Sequence, residues 1–240
     1  MRWADLAFLH WEAPAEPLRA LLPQGLELDT DGGKAWLGVV PFEMQRTRLA
    51  GLPAVPGTAR FAELNLRTYV RDGTDAGVWF FSLDAASRLA VRGARATFAL
   101  PYLDARMSIE REASGEWIGY RSERRPRFGA PPARFSARYR PTGEPRTSEP
   151  GTLEHFLTER YCLFAERGFG VERSLRGGLV RGDIWHPPWP LQPAECELEV
   201  CDMFRLAGVE PPEGPPIAHF ARAIDVDAYV PVRVPGLRRA

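Results

Sequence analysis

Lysine is almost absent from this chain of 240 residues: among 31 basic side chains only Lys34 is a lysine, and the rest are arginine. Any imine mechanism therefore has one candidate side-chain nucleophile. Cysteine is scarce as well. Cys162, Cys196 and Cys201 are too few and too scattered for a disulfide framework, and they read as buried thiols of a cytoplasmic protein. The longest apolar run, AWLGVVPF, falls far short of a membrane span. The first residues, MRWADLAFLHWEAP, carry Arg2 and Asp5 and lack the unbroken apolar stretch of a signal peptide. Net charge is missing too: 31 acidic residues balance the 31 basic ones, which leaves no surplus for neutralising the phosphates of a nucleic acid. The local run Arg121, Arg124, Arg125 and Arg127 is interrupted by Glu123 and reads as a solvated strand end.

The common nucleotide and hydrolase signatures are also missing. There is no G-x-x-x-x-G-K-[ST], no G-x-G-x-x-G between a strand and a helix, and no G-x-S-x-G elbow. His10, His155, His186 and His219 are widely separated, with no H-E-x-x-H and no paired C-x-x-C, so neither a metal nor another cofactor is expected.

What the chain does have is dense punctuation, with 23 prolines and 22 glycines separating short aromatic and β-branched runs. That is how an antiparallel β-protein reads. Expected strands are Leu6–Trp11, Lys34–Phe42, Phe61–Val70, Val78–Asp84, Arg95–Leu100, Ala105–Arg111, Trp117–Ser122, Ala133–Tyr139, Glu159–Glu166, Gly178–Ile184 and Phe220–Val226. Helices are expected to be short: Ala15–Leu22, Asp84–Val91 with Asp84 as cap, and a turn capped by Thr152 through Leu157. Glu195–Leu206 reads as a strand followed by a helix. No linker divides the chain, so residues 1–240 are expected to form one domain.

Within RFAELNLRTYV, a strand's period of two puts Glu63, Asn65, Arg67 and Tyr69 on one face and Ala62, Leu64, Leu66, Thr68 and Val70 on the other. The polar face either meets water, as one side of many antiparallel sheets does, or lines an interior. The segment IWHPPWP has a similar ambiguity. Trp185, His186 and Trp189 on a proline-stiffened loop suit either the wall of a pocket or a plug at the end of a barrel.

Six segments in order resemble the YqjF-like bacterial proteins of the acetoacetate-decarboxylase-like superfamily: DGGKAWLGVVPF, FAELNLRTYV, GVWFFSLDA, ARATFALPY, LTERYCLF and HPPWPLQPAE. The resemblance implies an α+β, mainly β fold. Its antiparallel sheet would be curled into a cone or barrel with a few short outer helices, leaving a homo-oligomer open. It also favours an inward Glu63, which looks like the cavity glutamate of acetoacetate decarboxylase. In ALPY, Pro101 matches the proline beside that enzyme's Schiff-base lysine, and Tyr102 stands where the lysine would be. A tyrosine forms no imine with a ketone, so decarboxylation through a lysine is not expected. Lys34 opens a strand after a hairpin-type Asp31-Gly32-Gly33 turn, where an amine is solvated and protonated.

The expected ligand is a small organic acid or carbonyl compound, a carboxylate or keto acid held by the planar fork of Arg67. Asn65, Tyr69, Tyr102, Trp79, Asp84, Arg160, Trp185 and His186 are the further candidate contacts, with Arg106 and Tyr161 by family position. Glu63 is the candidate general base. Two competing readings are a non-catalytic regulatory binder and a purely structural polar network. Glu63 and Arg67 lie about 13 Å apart at ~3.3 Å per residue, so each needs a partner from another strand.

Overall fold

The computed structural model describes residues 1–47, 59–97, 100, 102–113, 115–126, 130–166 and 179–234. In chain order the elements are β1 (Arg2–Ala13), α1 (Ala15–Leu21), β2 (Glu27–Leu28), β3 (Ala35–Gln45), β4 (Arg60–Arg71), β5 (Ala76–Ala85), α2 (Arg88–Thr97), β6 (Tyr102–Arg111), β7 (Ile118–Arg124) and β8 (Arg134–Pro141). There follow α3 (Leu153–Thr158), β9 (Cys162–Glu166), β10 (Leu179–Trp185), β11 (Gln192–Cys201), a 3-10 helix (Asp202–Ala207), β12 (Ile217–Asp225), β13 (Asp227–Ala228) and β14 (Val232–Arg233). No helix among the described residues is long and apolar enough to cross a membrane.

Strand pairing closes on itself. The order β5-β6-β7-β8-β11-β12-β1-β3-β4 returns to β5 through the β4–β5 pairing, giving a nine-strand barrel. It is mixed because β5 and β6 run parallel, while the other pairs in the ring are antiparallel. Its interior is apolar. Ala7, Leu9 and Trp11 of β1, Leu37 and Val39 of β3, and Leu64 and Leu66 of β4 pack there with Tyr120, Phe135, Tyr139 and Phe220.

The outer face of the β1-β3-β4-β5 wall is covered too. β9 pairs in parallel with β5, β10 pairs with β9, and β13, one residue past the end of β12, pairs with β10. The chain thereby encloses a second interior behind the wall, where Leu6, Phe8, Val40 and Phe42 meet Ile184, Trp189, Leu191 and Val226. Both faces of four central strands are buried, which is why β3 reads as a nearly continuous apolar run.

Local chemistry explains most boundaries. Gly32 and Gly33 both take positive φ, at 56° and 81°, closing the tight Asp31–Lys34 turn that the sequence announces. Thr152 caps α3, its hydroxyl accepting from the His155 N–H at 3.3 Å. The strand and helix expected within Glu195–Leu206 are β11 and the 3-10 helix.

Three expectations fail. Arg95–Leu100 is not a strand: α2 runs to Thr97, and the alternation of arginine with small residues is equally compatible with a helix. Asp84 is not a cap but a strand residue, and the cap contact comes from the Ser87 hydroxyl, 3.2 Å from the Ala90 N–H. Arg124 is not solvated: it is buried beneath the barrel wall, bonded to Asp84 at 2.9 Å and to Ser82. Arg127, Ala99, Pro101 and Gly178 lie outside the described residues.

Candidate functional site

The face of β4 carrying Glu63, Asn65, Arg67 and Tyr69 is turned inward, with exposures of 2, 7, 9 and 0%. It looks into the second interior, opposite the leucines that fill the barrel. Register places Glu63 beside Phe42, Asn65 beside Val40 and Arg67 beside Gly38 on β3. Gly38 permits a close approach. A Cβ there would lie 3.1 Å from His10 Cδ2 and 3.3 Å from Arg67 Cγ, so only glycine lets both side chains converge.

At one end of the row the Tyr102 hydroxyl donates to Glu63 Oε1 at 3.1 Å. Burial pushes the Glu63 carboxyl up to about 7, against hydrogen bonds from Tyr102 and Asn65 that favour its ionised form. Glu63 Oε2 and Asn65 Oδ1 are buried without a hydrogen-bond partner among the described residues. Burial, reinforced by the neighbouring carboxylate, drives the Tyr102 phenol well above its ordinary value, so Tyr102 remains a donor.

At the other end, Arg67 Nη2 donates to the Leu157 carbonyl at 2.9 Å, and its guanidinium lies over Phe8 (5.3 Å) and Tyr69 (5.7 Å). Arg67 Nε has no partner, and no carboxylate pairs with this arginine among the described residues. The Tyr69 hydroxyl donates to the same Leu157 carbonyl at 2.8 Å and lies 2.7 Å from His10 Nε2. Burial first, then the positive Arg67, holds the His10 imidazole well below its usual range, so it is neutral. Arg160 joins from behind Tyr69, 5.1 Å over its ring, but its charge is answered by Asp29 at 2.7 Å.

Other candidates are placed elsewhere. Asp84 pairs in register with Leu64, and Trp79 with Thr68. Cross-strand partners share a face, so both point away from the Glu63 row. A β-bulge at Phe81 produces this arrangement by shifting the register between Leu66 and Arg67. Trp185 is 54% exposed, whereas His186 is buried, its Nδ1 2.8 Å from the Pro187 carbonyl and its ring stacked on Tyr161 at 4.5 Å. Trp189 of the same loop sits edge-on to Phe8 at 4.9 Å, closing the second interior. Arg106 is exposed near Glu123. Lys34 lies at the surface, 2.7 Å from Glu12. Sequence reasoning missed His10, Gly38 and the Leu157 carbonyl. The alternation Leu6, Phe8, His10 along β1 was the available signal for His10, since all three fall on one face.

A closed barrel whose β1-β3-β4-β5 wall backs a second interior defines the class: the fold is acetoacetate-decarboxylase-like. Acetoacetate decarboxylase from Legionella pneumophila superposes with a TM-score of 0.64, at 15% identity over 97% of this chain and 86% of that one. The enduracididine biosynthesis enzyme MppR complexed with pyruvate does so with a TM-score of 0.64, at 12% identity over 97% and 88%. The chain belongs to the family DUF2071, described as an uncharacterized conserved protein, whose model matches residues 1–225. It is 43% identical over 224 residues to the uncharacterized protein YqjF of Bacillus subtilis, covering 93% of this chain and 87% of that protein.

Proposed function

We propose that the second interior binds a small organic anion, a carboxylate or keto acid, on Arg67, with Glu63 as the acid–base group at its far end. One observation carries this reading: Arg67 is a buried cation compensated by a carbonyl and two aromatic faces but by no carboxylate among the described residues. A buried charge is paired or it costs several kcal/mol, so an anionic ligand is the natural complement. Glu63, with a pKa near 7, divides between proton donor and acceptor at neutral pH, which suits proton abstraction, enolisation or hydration next to a carbonyl. Imine chemistry has no amine here, because Lys34 is at the surface and paired with Glu12. A similarly folded enzyme is known in complex with pyruvate, which makes 2-keto acids sensible first probes.

The structural reading has an observation of its own. Arg67 and Tyr69 both bond the Leu157 carbonyl and so fasten α3 over the site. A thermal-shift series of small carboxylates, keto acids and aldehydes against wild type and Arg67→Ala separates the two. Saturable stabilisation of wild type, approaching ~2.7 kcal/mol at a hundredfold excess over Kd and lost in the variant, supports the binding site. If no compound shifts the wild type and Arg67→Ala melts far below it, the row is scaffolding. For chemistry, Glu63→Gln should keep binding and lose exchange of the ligand's carbon-bound hydrogens with solvent deuterium.

A further inference from the structure

The two oxygens of the Glu63 carboxyl are not equivalent. Oε1 accepts from the Tyr102 hydroxyl at 3.1 Å, whereas Oε2 is buried without a hydrogen-bond partner among the described residues. A phenol has one hydrogen, and this one has no other acceptor among the described residues, so it stays on Oε1 whether the acid is ionised or neutral. A carboxyl proton on Oε1 would compete with it for the same oxygen; on Oε2 it meets no such competition. No cation is bonded to this carboxyl among the described residues. Of the ionisable groups around it, Asp84 raises its pKa from the barrel side of β5, and Tyr120 of β7 donates to the Glu63 carbonyl at 2.7 Å. Asp104 of β6 shares its face across Ala85, and Arg95 of α2 donates to the Tyr102 carbonyl at 3.0 Å. Among the groups that favour the ionised carboxyl, Tyr102 comes first and Asn65 second.

Resting on the reading of Glu63 as the acid–base group, we propose that Tyr102 is its positioning residue: by donating to Oε1 it leaves Oε2 as the oxygen that takes up and releases the proton. The same hydrogen bond sets the pH at which this exchange occurs. A bond to the ionised form opposes the effect of burial, so the phenol keeps Glu63 able to lose its proton near neutral pH. An ammonium in its place would hold the carboxyl ionised, and an apolar side chain would leave it protonated. A neutral phenol lies between the two.

Carbon NMR of protein labelled at the glutamate carboxyls tests this by following the Glu63 titration, with Glu63→Gln assigning the signal. The wild-type midpoint should fall at about 7, and Tyr102→Phe should move it up by about one pH unit or more. A ring-fluorinated tyrosine at position 102 is a stronger donor of nearly the same volume and should move it down; it keeps the packing should the phenylalanine variant fail to fold. Infrared difference spectra between wild type and Glu63→Gln then locate the proton. Below the midpoint the C=O stretch belongs to Oε1, so it should rise in frequency when Tyr102→Phe removes the bond. An unmoved stretch puts the proton on Oε1 and overturns the proposal. A midpoint at about 7 that neither change at Tyr102 moves also overturns it, while leaving Glu63 as the acid–base group. A wild-type carboxyl that stays ionised throughout the neutral range removes Glu63 from that role, and Tyr102 falls with it.

Discussion

The two faces of the β1-β3-β4-β5 wall differ in how their polar groups are treated. On the barrel side most polar atoms that enter are answered, Ser122 Oγ being an exception: Tyr120 donates to the Glu63 carbonyl at 2.7 Å, Tyr139 to the Asp5 carbonyl at 2.9 Å, and Asp84 meets Arg124 and Ser82. On the reverse side, Glu63 Oε2, Asn65 Oδ1, Arg67 Nε, His10 Nδ1 and Trp189 Nε1 are all buried without partners among the described residues. Native interiors satisfy nearly all buried polar groups, so the concentration of unpartnered atoms on the reverse side supports reading that side, rather than the barrel, as the proposed site. Polar groups kept unsatisfied lower stability, which is the usual signature of a functional cluster.

The largest expected effect tests the scaffold side. Asp84→Ala should destabilise by about 3–5 kcal/mol in chemical denaturation, because it leaves the buried Arg124 guanidinium without its counter-ion. A loss under ~1 kcal/mol would mean the barrel side tolerates orphaned charge as well, and the contrast between the faces would collapse.

Glu63 should behave in the opposite way. Its folded pKa of about 7 lies above the 4.5 of an ordinary glutamate, so the native state holds the proton more tightly than the unfolded chain. Stability from this group is complete below pH 4.5 and is lost as pH rises through 7, by roughly 3 kcal/mol in all. Glu63→Gln should remove that slope and equal or exceed wild-type stability at pH 8. His10 works with the other sign. Its lowered pKa means stability is lost as pH falls below the unfolded value of 6.5, so the difference between wild type and Glu63→Gln is the quantity to measure. A variant less stable than wild type at pH 8 would mark Glu63 as a paired, satisfied residue like Asp84.

Much of this contrast was legible from residues alone. Alternation along β4 separated Glu63, Asn65, Arg67 and Tyr69 from the leucines, and Gly32-Gly33 marked the turn before β3. Which side of the wall is interior was not legible, because both are: burial on each face comes from strands far away in sequence, β9, β10 and β12. The facing of Asp84 and Trp79 escaped for a sharper reason. One extra residue at the β5 bulge inverts the alternation beyond it, and no composition signal marks Phe81 as that residue. His10 escaped because a lone histidine on an apolar strand gains its role only from Tyr69, 59 positions away.

Gly38 sharpens the comparison at smaller scale. Gly38→Ala adds one methyl between His10 and Arg67, at 3.1–3.3 Å from each, in a packed interior. It should cost about 1–3 kcal/mol in stability and abolish whatever ligand response wild type shows, since both converging side chains must move. Full ligand response in this variant would mean that neither the His10 nor the Arg67 position matters for binding.

The smallest effect belongs to Lys34. Its ammonium is 2.7 Å from Glu12, with both side chains more than half exposed, and surface pairs of this kind contribute about 0–1 kcal/mol. Lys34→Ala should therefore shift stability by no more than ~0.5 kcal/mol and leave ligand-induced stabilisation unchanged. Its value is chemical. An ammonium paired with a surface carboxylate has no free lone pair with which to attack a ketone. Borohydride added with acetoacetate should accordingly trap nothing that depends on this residue. Labelling of wild type that disappears in Lys34→Ala would move the reacting centre out of the second interior to the β3 hairpin, and the Glu63–Arg67 face would lose its claim to the chemistry.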